Sequence, residues 1–411
     1  MRAPRAAGAR SRPVGAMGAS GALALFGGAP VRPTLLPYTR QSIDAEDIAA
    51  VGRALAGDWI TQGPSVARFE GALAAAAGVR HAVAVASGTA ALHAACQAAG
   101  LGSGDEVITT PLTFAATASA VVARGARPVF ADIDGATLNL DPDAVKRLAS
   151  PRTRAVLAVD FAGLPCDWEA LRAVAREHGW LLIADAAHSL GGAVGSRPVG
   201  TLADLTTFSF HPAKLITSGE GGAVVTDRDD LAEGLRIMRH HGIRYQDPAR
   251  PWRYEIDAPG NNYRLTDFQC ALGLSQLARL ERFWAARDRL ARRYRERLAG
   301  SPFVELPALP DGCRHGWHLF VALLRAERLS TDRDTVLRAL RAEHIGATMH
   351  YPLVHLQPFY RQHFGCGPGL CPIAEAVERR LVTLPLHPSM SEADQDDVLR
   401  ALDKVFAHFG R

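Results

Sequence analysis

The chain contains only three lysines, Lys146, Lys214 and Lys404, beside 43 arginines. Arginine can replace lysine wherever only positive charge is needed, so a lysine that remains can be one whose amine is itself required. Lys146 and Lys404 lie in helical patterns, where a solvated charge explains them. Lys214 lies between a strand pattern, residues 207–210, and a glycine-rich turn, residues 218–222. An amine there can form a Schiff base with an aldehyde cofactor, which a guanidinium cannot do.

Asp185 follows an apolar run, residues 181–184, which predicts a buried strand. A carboxylate at that point is costly to bury unless a cation meets it. The protonated nitrogen of a pyridine ring would be such a cation, and the carboxylate would keep the ring an effective electron sink. His188 could then hydrogen-bond the phenolate oxygen of the same ring. The alternative interpretation is that Asp185 caps the turn that follows it.

The tripeptide Ser87-Gly88-Thr89 separates a strand pattern from a helix pattern. Gly88 lets the backbone approach a ligand closely. The helix that begins near Thr89 offers free N–H groups and the positive end of its dipole to a phosphate. The alternative is a plain N-cap, in which Thr89 satisfies its own helix.

Short apolar segments alternate with helical segments from Val83 onward. The strand patterns cover residues 81–87, 106–110, 127–133, 154–160, 181–185, 207–210 and 222–227. Strands that alternate with helices predict an α/β fold, with a mostly parallel sheet and helices on both faces. Ligands of such sheets bind at the carboxyl ends of the strands. Gly88, Asp185 and Lys214 all follow strand patterns and are therefore expected at one edge.

Residues 266–297 form one unusually long helical pattern. This helix would link a large domain, residues 31–285, to a smaller C-terminal α+β domain, residues 286–411, which ends in an amphipathic helix near residues 394–409. Residues 1–30 are rich in Ala, Gly and Arg and contain no acidic residue. We expect a disordered tail or a mis-called start codon there, although such a start also fits a targeting peptide.

Composition disfavours several classes of protein. A formal net charge of +4 over 411 residues is too small for a nucleic-acid or membrane-surface protein, and no apolar run approaches the ~20 residues of a membrane helix. The six cysteines form no CxxC pair, so we predict no disulfide framework and no zinc site, as in a cytoplasmic protein. The histidines show no HExxH spacing, and we predict no metal. A nicotinamide dehydrogenase is disfavoured because no GxGxxG motif follows a strand.

The order of a phosphate site, a strand-end carboxylate and a lysine resembles pyridoxal-phosphate enzymes of the aspartate-aminotransferase fold, or fold type I. Longer strings resemble the sugar-aminotransferase family named for the DegT, DnrJ, EryC and StrS proteins, over about residues 33–406. These strings are DWITQGP (58–64), SGTAALH (87–93), DEVITTPLTFAATA (105–118), FSFHPAK (208–214), SGEGGAV (218–224) and NNYRLTDFQCALGLSQL (261–277).

The resemblance implies that Lys214 holds pyridoxal 5'-phosphate as an internal aldimine and carries protons between the amino donor and the cofactor, while Asp185 faces the pyridinium nitrogen. The further cofactor contacts that it implies are Gly88, Thr89, Ser209, the phenolate partner His188, a stacking Phe114, and Asn262 from the partner subunit of a homodimer. Simple core packing is the alternative for Phe114. The family's aromatic residue before that asparagine is replaced here by Asn261.

The resemblance also implies the substrates, L-glutamate and a nucleotide-linked keto-sugar. The residues that we expect near the sugar nucleotide are Thr61, Gln62, His350 and Tyr351. Four strings resemble one branch, the transaminase that makes UDP-4-amino-4,6-dideoxy-N-acetyl-β-L-altrosamine in pseudaminic acid synthesis. They are PYTRQSI (37–43), VDFAGLPCD (159–167), PW (251–252) and HYPLVHLQPFY (350–360).

Within the family, the alternatives are a dTDP-4-keto-6-deoxysugar, a UDP-bacillosamine precursor or a cyclitol as the amine acceptor. Lys214 disfavours the dehydrating relatives, which carry histidine at that position. A non-catalytic regulatory protein of the same fold is disfavoured as well, because the phosphate site, Asp185 and Lys214 are all present.

Overall fold

The computed structural model describes residues 21–245, 249–250 and 252–411. Pro251, one residue of the branch-specific strings, lies outside these ranges. The helices of the described residues are α1 Ala45–Leu55, α2 Pro64–Ala77, α3 Gly88–Ala98, α4 Ala115–Val122, α5 Pro142–Arg147, α6 Trp168–His178, α7 Asp229–Arg239, α8 Asp267–Leu277, α9 Leu280–Leu298, α10 Arg333–Ala342, α11 Pro358–Phe364, α12 Pro372–Glu378 and α13 Glu392–Phe409. Among them, none is both long and apolar enough to cross a membrane.

The strands are β1 His81–Val85, β2 Glu106–Thr109, β3 Arg127–Phe130, β4 Thr153–Val159, β5 Leu181–Asp185, β6 Ala193–Val194, β7 Arg197–Pro198, β8 Leu205–Ser209, β9 Gly222–Thr226, β10 Ile243–Tyr245, β11 Tyr254–Ile256, β12 Val304–Glu305, β13 Cys313–Arg314, β14 Phe320–Leu324 and β15 Leu381–Leu384. Seven of them form one sheet in the order β1-β9-β8-β5-β4-β2-β3. Its strand pairs are parallel except where β9 joins β1 and β8. The predicted α/β fold is confirmed.

Both faces of this sheet are covered, and the inner residues of its strands are therefore buried and mainly apolar, with Thr206 and Thr207 of β8 among the exceptions. Successive side chains of a strand point to opposite faces. Leu182 accordingly belongs to the hydrophobic cluster on one face, and Ile183 belongs to the cluster on the other. The polar residues that carry chemistry are thereby left to the ends of the strands.

The predicted long helix is two helices, because α8 ends at Leu277 and α9 begins at Leu280. No glycine or proline marks the break. Arg279, which lies between them, pairs through its guanidinium with Asp44 and Asp47. A tertiary ion pair therefore lies at the break, and hydrophobic periodicity carries no sign of it.

Helix α9 runs from one core to another. Its first turn contributes Leu280 and Phe283 to the sheet domain, and its second half contributes Leu290 and Tyr294 to a separate C-terminal cluster. That cluster includes residues of the antiparallel sheet β12-β14-β15 and of α10 and α13. The domain boundary predicted at residues 285/286 falls inside this helix.

Residues 21–30 differ from the expected disordered tail, because they pack against the C-terminal domain. Leu23 is buried, and the backbone N–H groups of Ala24 and Val31 donate to the carboxylate of Glu343 at 2.8 and 2.9 Å. Lys404 donates to Ala29 O and forms a 2.8 Å ion pair with Glu343. Lys404, which we expected to be a solvated charge, is therefore a buried ion-pair partner that ties residues 21–30 to the C-terminal domain. Residues 1–20, the remainder of the predicted tail, lie outside the described residues.

We expect Lys404→Met to lower the free energy of unfolding by about 3–5 kcal/mol, because it leaves the buried Glu343 carboxylate without a cation. The measurement is urea unfolding followed by fluorescence. Lys146→Met is the matched control, since Lys146 is exposed and lies 3.9 Å from an exposed Glu177; its loss should be below about 0.5 kcal/mol. Equal losses of unfolding free energy in the two variants would contradict a stabilising role of the buried Lys404–Glu343 ion pair.

Candidate active site

Three of the predicted positions converge at the carboxyl edge of the large sheet. β5 and β8 are adjacent parallel strands that end at Asp185 and Ser209. β9 runs antiparallel between β8 and β1, so that its first residue, Gly222, pairs with both Ser209 and Val85. The turn after β1, which carries Gly88, is thereby brought beside Ser209.

Gly88 and Ser209 form a close notch at the N-terminus of α3. A Cβ added to Gly88 would lie 2.7 Å from the Ser209 Cβ, so no larger residue fits without a shift. Ser87 is the N-cap of α3, and its hydroxyl accepts from the Ala90 N–H at 3.1 Å. The N-cap is therefore not Thr89, which is exposed in the first turn. The N–H groups of Gly88 and Thr89 lie in that first turn, where a helix provides no acceptor.

Asp185 is a buried carboxylate with two hydrogen bonds. Its Oδ2 accepts from Thr117 Oγ1 at 2.7 Å, and its Oδ1 accepts from the Ala187 N–H at 3.3 Å. Burial raises the pKa of Asp185, while the Thr117 bond and the charge of Lys214 act against that rise. A cation placed against this group would keep it ionised.

Lys214 lies in the turn after β8. The charges of its amine and of the Asp185 carboxylate each affect the other group's pKa. Burial lowers the pKa of Lys214 from 10.5 to about 8, and Asp185 acts in the opposite direction. The amine is therefore poised to exchange a proton near neutral pH, as a catalytic lysine must.

His188 and Tyr351 meet across the two domains. The Tyr351 hydroxyl and His188 Nε2 are 3.1 Å apart. Burial raises the pKa of Tyr351 and lowers that of His188 well below its ordinary value, so the tyrosine donates and the imidazole accepts. The proton of His188 then sits on Nδ1, which is buried and has no partner among the described residues.

His350 and Phe114 both lie next to the Tyr351 ring. His350 is a neutral base, because burial and then the charge of Lys214 lower its pKa to about 4, and its Nδ1 lies 3.0 Å from Thr383 Oγ1. The Phe114 ring lies 5.8 Å from that of Tyr351 and is 58% exposed. Such exposure contradicts simple core packing for Phe114 and leaves an aromatic face free for a ligand.

His318 is a member of this cluster that sequence reasoning missed. Its Nε2 lies 3.4 Å from Lys214 Nζ, although the two residues are 104 positions apart in the chain. His318 lies just before β14 and carries no motif that marks it as a site residue, so only the folded chain could reveal this contact.

Three other predicted residues are not brought to Lys214. Thr61 pairs with Thr266, and Asn262 pairs with His240, in isolated β-bridges. Gln62 lines a cavity of about 490 Å³ beside α7. All three are exposed, and none of the contacts among the described residues joins them to Lys214.

A mostly parallel α/β sheet with a lysine, a carboxylate and a helix N-terminus at one edge is the architecture of a fold type I aminotransferase. Residues 41–403 match the DegT/DnrJ/EryC1/StrS aminotransferase family, and the chain belongs to that family. Its members are PLP-dependent sugar aminotransferases, so the predicted enzyme class is confirmed.

The spore coat polysaccharide biosynthesis protein SpsC of Bacillus subtilis (strain 168) is 41% identical over 381 residues, which are 91% of this chain and 98% of that protein. Helicobacter pylori PseC, an aminotransferase involved in the biosynthesis of pseudoaminic acid, superposes with a TM-score of 0.86 at 31% identity, over 92% of this chain and 100% of that one.

DesI, solved in the presence of its TDP-sugar product, is 37% identical with a TM-score of 0.84, over 93% and 96% of the two chains. The putative sugar aminotransferase Spr1654 from Streptococcus pneumoniae is 27% identical. Its PMP form has a TM-score of 0.87 over 91% and 99% of the chains, and it is also known in a PLP form.

Proposed function

We propose that this chain transfers an amino group from L-glutamate to the C4 ketone of a UDP-linked 4-keto-6-deoxy-N-acetylhexosamine, as in pseudaminic acid synthesis, with pyridoxal phosphate as its cofactor. The observation that carries the transamination is the buried amine of Lys214, whose pKa is lowered to about 8 and which interacts electrostatically with the buried carboxylate of Asp185. The likeness to PseC and the branch-specific strings support the choice of sugar.

The residues fit the cofactor. The notch between Gly88 and Ser209, with the free N–H groups of α3, is suited to a phosphate. Asp185 would meet the ring nitrogen, and the unpartnered Nδ1–H of His188 is a donor for the ring's phenolate oxygen. The PLP and PMP forms of Spr1654 support the same group.

Bound pyridoxal phosphate supplies an electron sink for the carbanion that forms when the donor loses its α-proton. With the cofactor bound, Lys214 in its neutral form would take the proton from the donor's α-carbon and deliver it to the cofactor. Asp185, which Thr117 holds in place, would keep the ring nitrogen protonated by its negative charge. Phe114 would offer its exposed aromatic face to the ring.

We expect pyridoxal phosphate to attach to the cofactor-free protein about tenfold more slowly for each pH unit below 8, and at a constant rate above 8. The neutral amine is the nucleophile. With a pKa of about 8, about one amine in ten is neutral at pH 7, against about one in three thousand for the ordinary value of 10.5.

The rise of visible absorbance after mixing measures this rate. Free Nα-acetyl-lysine, which has an ordinary amine, is the control that removes the cofactor's own titration. If the attachment rate of the protein rises with pH in parallel with that of the free amine over pH 7–9, the lowered pKa of Lys214 is contradicted.

We also propose a homodimer in which Asn262 of one subunit reaches the cofactor phosphate of the other, and in which Thr61 and Gln62 lie near the sugar nucleotide. The exposure of these residues supports this arrangement, as does the large apolar surface of Trp59 and Ile60 beside them, 59% and 55% exposed. Sedimentation analysis of the purified protein tests it, and a monomer at micromolar concentration would contradict it.

The reverse reaction tests the substrate. A 4-amino sugar that is accepted converts the cofactor to its amine form and bleaches the visible band. We expect bleaching by the UDP-linked diamino-altrose derivative, at least about tenfold faster than by a TDP-linked 4-amino-6-deoxysugar. The second candidate, a TDP-linked sugar, is favoured by the 37% identity to DesI and requires the opposite order. Bleaching by neither, while L-glutamate bleaches the band, would reject both sugars.

A further inference from the structure

His318 occupies a specific place beside Lys214. It is 3% exposed, and its Nε2 lies 3.4 Å from Lys214 Nζ. Its ring centroid lies 4.5 Å from that of His188. Its other nitrogen, Nδ1, is buried and has no partner among the described residues. The single polar contact of the ring that the structure shows is therefore the one to the lysine amine.

The direction of this contact follows from the chemistry of the two groups. A lysine ammonium only donates, so Nε2 must accept, and the imidazole must be neutral with its proton on Nδ1. Burial lowers the pKa of His318 well below its ordinary value. The positive charges of Lys214 and Arg287 lower it further, and the neighbouring titratable rings of His188 and His350 act in the same direction. His318 therefore stays an acceptor whenever Lys214 is charged.

Arg287 holds the backbone that carries His318. It lies on α9, is 1% exposed, and its Nη1 donates to the carbonyls of Trp317 and His318 at 3.2 Å and of Leu386 at 2.9 Å. Trp317 has a φ of +52°, a left-handed backbone that a bulky residue adopts only when its surroundings impose it. The Trp317 indole N–H donates to Asp288, also on α9, at 2.9 Å.

We infer that His318 is a positioning residue for Lys214: its imidazole accepts a hydrogen bond from the protonated amine and fixes where that proton is held, while Arg287 fixes the backbone that carries the imidazole. The consequence for catalysis rests on the proposed function. During transamination Lys214 is freed from the cofactor and carries a proton. An acceptor on one side keeps the charged amine from turning away from the reacting carbon atoms.

The test uses cofactor-free protein and trace labelling with acetic anhydride, which reacts with neutral amines. Because the chain has three lysines, mass spectrometry reads each in its own peptide. We expect half-maximal labelling of Lys214 near pH 8 in the unaltered protein and about one pH unit lower in His318→Leu, since the ammonium loses its acceptor. His318→Gln, whose amide oxygen can accept in the place of Nε2, should restore the midpoint.

His355→Leu is the matched control. His355 is a buried histidine that pairs with Glu375, and its replacement should leave the Lys214 midpoint unchanged. If His318→Leu fails to fold, His318→Asn takes its place, because its shorter amide cannot reach Nζ. A midpoint within ~0.2 unit of the unaltered protein in the folded His318 variant overturns the inference.

In the loaded enzyme, we expect His318→Leu to slow the half-reaction with L-glutamate about tenfold, with KM within about twofold, and His318→Gln to recover most of the rate. The labelling needs no cofactor, so failure of the inference is distinguishable from failure of the proposed function. A shifted midpoint in a protein that never binds pyridoxal phosphate would reject only the function.

Discussion

Lys214→Arg and Lys214→Ala are expected to reduce transamination by at least about 10³-fold while leaving the fold intact. A guanidinium keeps the positive charge beside Asp185 but cannot bond to an aldehyde or carry the α-proton. Loss of activity in the arginine variant therefore separates the chemistry of the amine from its charge. The measurement is single-turnover bleaching of the visible band by L-glutamate, with far-ultraviolet circular dichroism as the check on folding.

Two further variants control this experiment. Lys146→Arg changes an exposed lysine and should retain full activity. Addition of a small alkylamine to Lys214→Ala should restore part of the rate, because the amine can enter the space left by the side chain and carry the proton. Appreciable turnover by Lys214→Arg would exclude Lys214 as the covalent anchor.

Asp185→Asn is expected to reduce the same half-reaction by about 10²–10³-fold, because a neutral amide cannot keep the ring nitrogen protonated. Asparagine has nearly the same shape: its one oxygen can accept from the Ala187 N–H while its amide nitrogen donates to the Thr117 hydroxyl, so packing is preserved. The rate is measured at saturating cofactor, which removes any contribution from weaker binding.

Asp160→Asn is the matched control for Asp185→Asn. Asp160 is a buried carboxylate at the end of the neighbouring strand β4, and it accepts from Cys166, Trp168 and Ser189. It has no described contact with Lys214, so its replacement should affect stability far more than rate. Equal rate losses in the two variants would show that the charge of Asp185 has no special role.

The central residues of the candidate site were predictable because each of them has a local signature. Lys214 is one of three lysines in an arginine-rich chain, and Asp185 ends an apolar strand. Gly88 stands between a strand pattern and a helix pattern. These signatures can be read from the sequence because strand periodicity and helix capping depend on residues only a few positions apart.

The errors of prediction lie where contacts are remote in sequence. At the break between α8 and α9, Arg279 meets Asp44 and Asp47, and residues 21–30 are bound through Glu343 and Lys404. Ion pairs of this kind join segments that no periodicity relates. The helix break and the packing of residues 21–30 could therefore not be predicted from the sequence pattern.

The sequence by itself predicted the α/β fold and placed Gly88, Asp185 and Lys214 after strands of one mostly parallel sheet, because strands that run in the same direction share their carboxyl edge. Only the tertiary structure decided which residues of the C-terminal domain close over that edge. His318 and Tyr351 reach Lys214 and His188 across 104 and 163 residues, through the packing of α9 against both cores. These contacts depend on how the two folded domains pack against each other, and no pattern of neighbouring residues in the sequence specifies that packing.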